Sequence, residues 1–151
     1  MKRIIAFILT VLVLTGCFSC AVFATHEKVI TVEFFEDGSY GVICVSNQLF
    51  LRAGSVSRTK SYSFYDNDHN LGWKASITAS FNYNGTTASC TNVSKSTTIY
   101  DNAWECTASS CNKSGATATG NFTFKRYVTL IPVQTINKTL TLTCDPNGNI
   151  T

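Results

Sequence analysis

The chain has 151 residues and a formal net charge of +3, with 14% charged and 44% hydrophobic residues. That length holds one domain rather than two. Lys2 and Arg3 fall in an N-terminal leader, so the remaining domain carries +1, which excludes the basic excess of a nucleic-acid-binding protein.

The leader begins Met1-Lys2-Arg3 and continues with an apolar run from Ile4 to Leu14. A charged start, a short apolar stretch and a small-residue exit describe a secretory signal peptide. It has two candidate ends. Leu14-Thr15-Gly16-Cys17 has the form of a lipobox, in which Cys17 would be lipidated and hold the protein at the outer face of the cytoplasmic membrane. Val22-Phe23-Ala24 has the form of an ordinary cleavage site. Polarity begins only at Thr25, and a tether needs polar, solvated sequence after its lipid. Release after Ala24 is the expectation, giving a signal peptide over 1–24 and one secreted domain over 25–151. A membrane enters only if Cys17 is lipidated.

Residues 28–35 are rich in β-formers, and Glu36-Asp37-Gly38-Ser39 is a hairpin signal. Return strands are expected over 40–46 and 49–53, with a bend at Gly54. A further strand is expected over 56–64. Its Arg58 and Lys60, with Arg52, read as a solvated basic face. The polar run 66–70 closes it. Trp73, Ala75, Ile77, Ala79, Phe81 and Tyr83 then alternate with Lys74, Ser76, Thr78, Ser80 and Asn82, the period of a strand with one wet face. Asn84-Gly85 turns the chain back into 86–91. Strands follow over 96–100 and 103–108, then a polar loop over 109–115. A long strand over 116–131 is expected to bend near Gly120, Pro132 marks an edge or an end, and 135–144 alternates again.

Seven to nine short strands joined by tight turns predict an all-β, antiparallel β-sandwich, immunoglobulin-like or related. Cys44, Cys90, Cys106, Cys111 and Cys144 fall within this domain. In an exported chain they are expected to form disulfide staples, leaving one thiol over. The expected bonds are Cys44–Cys144 and one among Cys90, Cys106 and Cys111.

Candidate sites are few. His69, flanked by Asp66 and Asp68, is the one histidine placed for hydrolysis, but no Gly-x-Ser-x-Gly elbow accompanies it. Asp66, Asp68 and Asn70 alternate as calcium ligands do, yet Leu71 replaces the usual glycine and no glutamate follows at the twelfth position. Asp and Asn in such a turn also serve their own backbone, so no metal or cofactor is expected. Tyr65 and Trp104, beside polar turns, are the aromatic residues placed to contact a ligand.

The segment 80–126, with its Asn-Tyr-Asn-Gly-Thr-Thr-Ala-Ser-Cys turn and its Trp-to-Cys spacing, resembles small uncharacterised secreted proteins of Gram-positive bacteria. The closing Thr-Leu-Thr-Leu-Thr-Cys (139–144) shares that resemblance, which implies no catalytic residues. The expected function is a non-catalytic secreted or cell-surface β-domain that binds an extracellular glycan, protein or wall component. The alternatives are a small antibacterial or toxin-like effector and a small hydrolase using His69.

Overall fold

The alternating segment around Trp73 becomes a strand with a dry row and a wet row. In the computed structural model, which describes residues 27–52 and 54–151, Trp73, Ala75, Ile77, Ala79 and Phe81 are all buried. Each large side chain in that row contributes about 1.5–3 kcal/mol by leaving water. The expected leader, with its candidate sites at Cys17 and Ala24, lies outside the described residues.

Nine strands run in chain order among the described residues: β1 Lys28–Phe34, β2 Tyr40–Val45, β3 Leu49–Arg52, β4 Ser55–Tyr65, β5 Leu71–Tyr83, β6 Ala88–Ile99, β7 Trp104–Ser114, β8 Thr117–Val128 and β9 Ile131–Thr143. All pairings are antiparallel. One sheet is ordered β1-β2-β4-β5-β6, with β3 continuing the β2 edge of β4, and the other is β7-β8-β9. The all-β, two-sheet architecture therefore stands. The topology is a meander, because strands pair with their sequence neighbours apart from β2 passing β3 to reach β4. An immunoglobulin sandwich exchanges strands between its sheets by Greek-key connections, and those are missing from this strand order.

The sheets meet over aromatic rings. Trp73 of β5 stacks on Phe124 of β8 with centroids 3.7 Å apart and planes within 9°. Gly120 is expected to bend β8, but the ladders to β7 and β9 run through it without a shift of register. Its role is close approach, since a Cβ there would overlap the Ile77 methyl of the facing sheet. Gly41 plays the same part in β2, where a Cβ would overlap the Tyr62 ring and hydroxyl.

Arg58 and Lys60 do not form a solvated face. They lie in phase with buried Val56, Tyr62 and Phe64 on β4 and point between the sheets. Arg58 Nε donates to the Ser46 carbonyl at 3.0 Å and its terminal nitrogen to the Ile150 carbonyl. Lys60 Nζ donates to the Thr141 carbonyl at 3.1 Å. Long cationic side chains here satisfy main-chain carbonyls just after β2, within β9 and in the C-terminal segment.

The expected disulfides are not formed. Cys44, Cys90, Cys106, Cys111 and Cys144 are all free thiols. Cys44 lies opposite Ser61, in phase with the outward row of β4 and beside the charges of Glu27 and Lys74. Cys144 is buried in the core. The two are on opposite sides of one sheet and cannot bond. Cys106 and Cys111 both sit on β7, and the strand rise separates residues five apart by roughly 16 Å, beyond the reach of a disulfide.

Two turns depart from the sequence reading. The expected loop over 109–115 is strand as far as Ser114. The long strand expected over 116–131 is instead a hairpin turning at Thr129 and Leu130, whose φ angles are +47° and +70°. Left-handed geometry costs a non-glycine residue about 1–2 kcal/mol.

Replacement of Gly41 by alanine should lower unfolding stability by about 1–3 kcal/mol through overpacking against Tyr62. Urea unfolding followed by tryptophan fluorescence measures this, and an unchanged midpoint would show that Tyr62 can move aside.

Candidate functional site

Three turns and one hairpin meet at one end of the sandwich. The β1–β2 turn places Asp37 and Ser39, the β4–β5 loop Asp66 and Asn67, and the β6–β7 turn Asp101. Arg126 and Gln134 come from the stem of the β8–β9 hairpin. Together with Trp104 and Phe64 they line a cavity of about 150 Å³.

Backbone hydrogen bonds fix these parts. The Tyr100 and Asp101 amides both donate to the Gly72 carbonyl, at 2.9 and 3.0 Å. The Tyr127 amide donates to the Ala103 carbonyl at 2.8 Å, which ties the hairpin to the β6–β7 turn. Trp104 is 5% exposed and meets Phe64 and Trp73 edge-on, at 4.9 and 6.0 Å. Its indole is an extension of the core that reaches the cavity wall.

The aspartates mostly serve their own loops. Asp37 accepts from the Ser39 amide at 3.0 Å and from its hydroxyl at 2.5 Å. Asp101 accepts from the Ala103 amide at 2.9 Å. Asp66 accepts from the Asp68 and Asn70 amides at 3.0 and 2.8 Å, and from the Asn70 side chain at 3.2 Å. The same five-residue device recurs at Asp145, which accepts from the Asn147 and Asn149 amides and the Asn149 side chain. Such loops bind their own N–H groups. The calcium candidate formed by Asp66, Asp68 and Asn70 thus has its first carboxylate committed to the loop. No cluster of three or more His, Cys, Asp or Glu side chains among the described residues is placed to hold a metal ion.

His69 occupies the residue before the closing asparagine of its loop with φ +65°, as Gly148 does in the second loop with φ +89°. Its imidazole lies 5.7 Å from the Tyr40 ring. Tyr40 stacks on Tyr65 at 4.9 Å with planes 8° apart, and Phe34 adds a tilted contact at 6.1 Å. This aromatic row crosses the outer face of the larger sheet, and stacked cross-strand rings of this kind support the sheet itself. The structure therefore separates the two expected ligand-contacting aromatics. Trp104 lines the cavity, whereas Tyr65 is stacked on the opposite face of β4.

Arg126, Gln134, Asp37 and Asp101 were not selected from the sequence. Asp37 and Asp101 lie in recognisable turn signals. Arg126 and Gln134 become neighbours only through the β8–β9 register. No protein-family model, curated protein or solved structure matches the chain.

Four carboxylates titrate below their ordinary range. The Lys138 ammonium bonded to Glu33 is the main cause there, with the Tyr62 hydroxyl adding to it. The Ser39 hydroxyl acts on Asp37, the Asn70 amide on Asp66 and the Asn149 side chain on Asp145. A carboxylate depressed in the folded state stabilises it above the unfolded value, and that stabilisation is lost as pH falls through the folded value. Urea midpoints should therefore hold from neutral pH down to about pH 5 and decline steadily below it. A midpoint that rises on acidification would contradict these contacts.

Proposed function

We propose that the chain is an exported, non-catalytic β-domain that binds a hydroxyl-rich ligand, a glycan, through the cavity at its loop end. The observation that carries this reading is the convergence of the Trp104 indole with Arg126, Gln134 and Asp101 around one small cavity. An aromatic wall with a few polar groups of both donor and acceptor type is the chemistry of a small-ligand site. The volume suits a single ring or chain terminus rather than an extended polymer, since drug-sized ligands occupy roughly 300–1,000 Å³. The rigid wall and backbone-tied loops add support, because little order has to be gained on binding.

The hydrolase reading using His69 has less behind it. Its imidazole contacts Tyr40, and the adjacent Asp66 carboxylate is turned toward loop amides. Loss of a hydrolytic activity in a His69→Ala variant would restore that reading. Nothing at the loop end favours the antibacterial or toxin-like effector specifically.

Titration of tryptophan fluorescence with mono- and oligosaccharides, preceded by a glycan-array screen, tests the binding reading. Arg126→Ala and Gln134→Ala should each weaken binding about tenfold or more, a loss of about 1.4 kcal/mol, while leaving the melting temperature within about a degree or two. Absence of glycan binding, or binding indifferent to both changes, would remove the proposal.

Export carries a second expectation. In an oxidising compartment Cys90 and Cys144 are the pair with most support for a bond. Both are buried core residues whose thiols are raised by burial, with the Asp145 charge adding to the shift at Cys144. Their amides donate to the adjacent carbonyls of Gly115 and Ala116, at 2.8 and 3.0 Å. The two thiols would give two electrons and two protons to an oxidised thiol–disulfide oxidant, with one S–S bond formed. Intact-mass and non-reducing peptide mapping of the exported protein should find this link and cleavage after Ala24. Five alkylatable thiols in the native protein would exclude the bond, and a lipid on Cys17 would place the protein on the membrane.

A further inference from the structure

The β8–β9 hairpin continues past the sandwich as an apolar tip. Beyond Tyr127, whose amide is held by Ala103, every residue from Val128 to Val133 is exposed. Leu130 is 92% exposed, Ile131 65%, and Val128 and Val133 55% each. Four aliphatic side chains concentrated on one turn form the kind of patch that marks an interaction site. The turn itself is unfavourable. Both central residues have positive φ, a geometry that Asn-Gly adopts readily, whereas Thr129 and Leu130 stand there. A strained backbone that holds a leucine in water is an outlier that points to use.

We propose that this tip is a wedge that inserts into the interface of a lipid bilayer. Its shape favours lipid. It projects beyond the paired strands and carries Val128, Leu130, Ile131 and Val133 with the Thr129 hydroxyl as its one polar side chain. It also has no arginine or tryptophan anchor at the apex of the kind that dominates protein interfaces. Beyond the Tyr127–Pro132 pair the hairpin adds the Val128–Ile131 pair and the Thr129–Leu130 turn, a reach of roughly 6–7 Å at the rise of a strand, and interfacial segments bury to about 5–10 Å. Tyr127 stands at the base, where an amphipathic ring suits the headgroup level. The charge on this part of the chain also agrees. No acidic residue occurs between Glu105 and Asp145; within that stretch Lys138 is paired with Glu33 and Lys113 lies at the far end of β8, which leaves Lys125 and Arg126 as the cations nearest the tip. Lys125 lies directly behind the tip, where its ammonium favours lipid phosphates, particularly of anionic lipids, whereas Arg126 turns to the loop-end cavity beside Asp37, Asp66 and Asp101. The proposal is independent of the glycan cavity.

Vesicle flotation tests it. The exported full chain carrying Cys17→Ser, so that no lipid is attached, is mixed with phosphatidylcholine vesicles with or without phosphatidylglycerol. The protein should float with both and more strongly with the anionic vesicles. Thr129→Asn with Leu130→Gly should lower flotation about tenfold or more, because a leucine side chain leaves the interface. The same double change should raise the melting temperature, because Asn-Gly relaxes the turn. Weak binding and higher stability together cannot be explained by misfolding. If the double variant failed to fold, Ile131→Ser would take its place with the same expected loss. The proposal is overturned if the parent protein floats with neither vesicle, or if the variants float equally well. Tip-dependent dimers without flotation would also overturn it, in favour of a second copy as the occupant.

Discussion

The contact on which the rest of the molecule depends is the stack of Trp73 on Phe124. It joins β5, the strand next to the β6 edge of the five-strand path, to β8, the central strand of the smaller sheet. Phe64 and Tyr62 extend it along β4, each 5.4 Å from Trp73, and Trp104 closes it edge-on. The stack has a cost. Trp73 Nε1 is buried without a hydrogen-bond partner, which forfeits about 1–3 kcal/mol. Each well-placed aromatic pair returns about 0.5–1.5 kcal/mol beyond its buried area, so the several contacts of Trp73 outweigh one orphaned donor. Small residues make the approach possible. Gly120, Ala75 and Ala79 let the sheets close around the large rings.

The same rings place the loop-end cavity. Phe64 and Trp104 are at once core and cavity wall. The polar groups around them come from loops whose shapes are set by carboxylates bonded to their own amides. The floor is thus rigid through packing and the rim through local hydrogen bonds. Asp66 and Asp145 solve the same problem at different places in the chain with the same spacing of Asp and Asn. In one loop glycine takes the left-handed position, and in the other His69 does. His69 is explained by backbone geometry and by its contact with Tyr40 before any chemistry is invoked.

Much of the architecture was legible because period-two alternation is hard to imitate. β5 follows its pattern residue by residue, and the Asp-Gly and Asn-Gly turns fall where their backbone preference puts them. The failures have physical causes. Residues 40–46 are apolar on both faces, so the direction of Cys44 was unreadable, and with it the Cys44–Cys144 bond. Arg58 and Lys60 read as surface because charge suggests water. Their long stems instead let them lie inward and spend their donors on main-chain carbonyls. The cavity was half legible. Trp104 stood beside a turn, but Arg126 and Gln134 meet only through a hairpin register that the local sequence does not announce.

That hairpin register is also where local preference and tertiary structure disagree most. Thr129-Leu130 lacks the glycine, asparagine or proline that mark a turn, so the sequence reads as one continuous strand. The turn is imposed by the flanking ladder, in which Thr117–Val128 and Ile131–Thr143 pair along nearly their whole lengths. Twelve residues of pairing and the burial of Phe122, Phe124, Ile136, Leu140 and Leu142 outweigh about 2–4 kcal/mol of strain at two residues. A shorter hairpin could not hold that turn. The long ladder is therefore what permits an apolar apex in the strained conformation, and the stability of the sandwich carries the exposed tip.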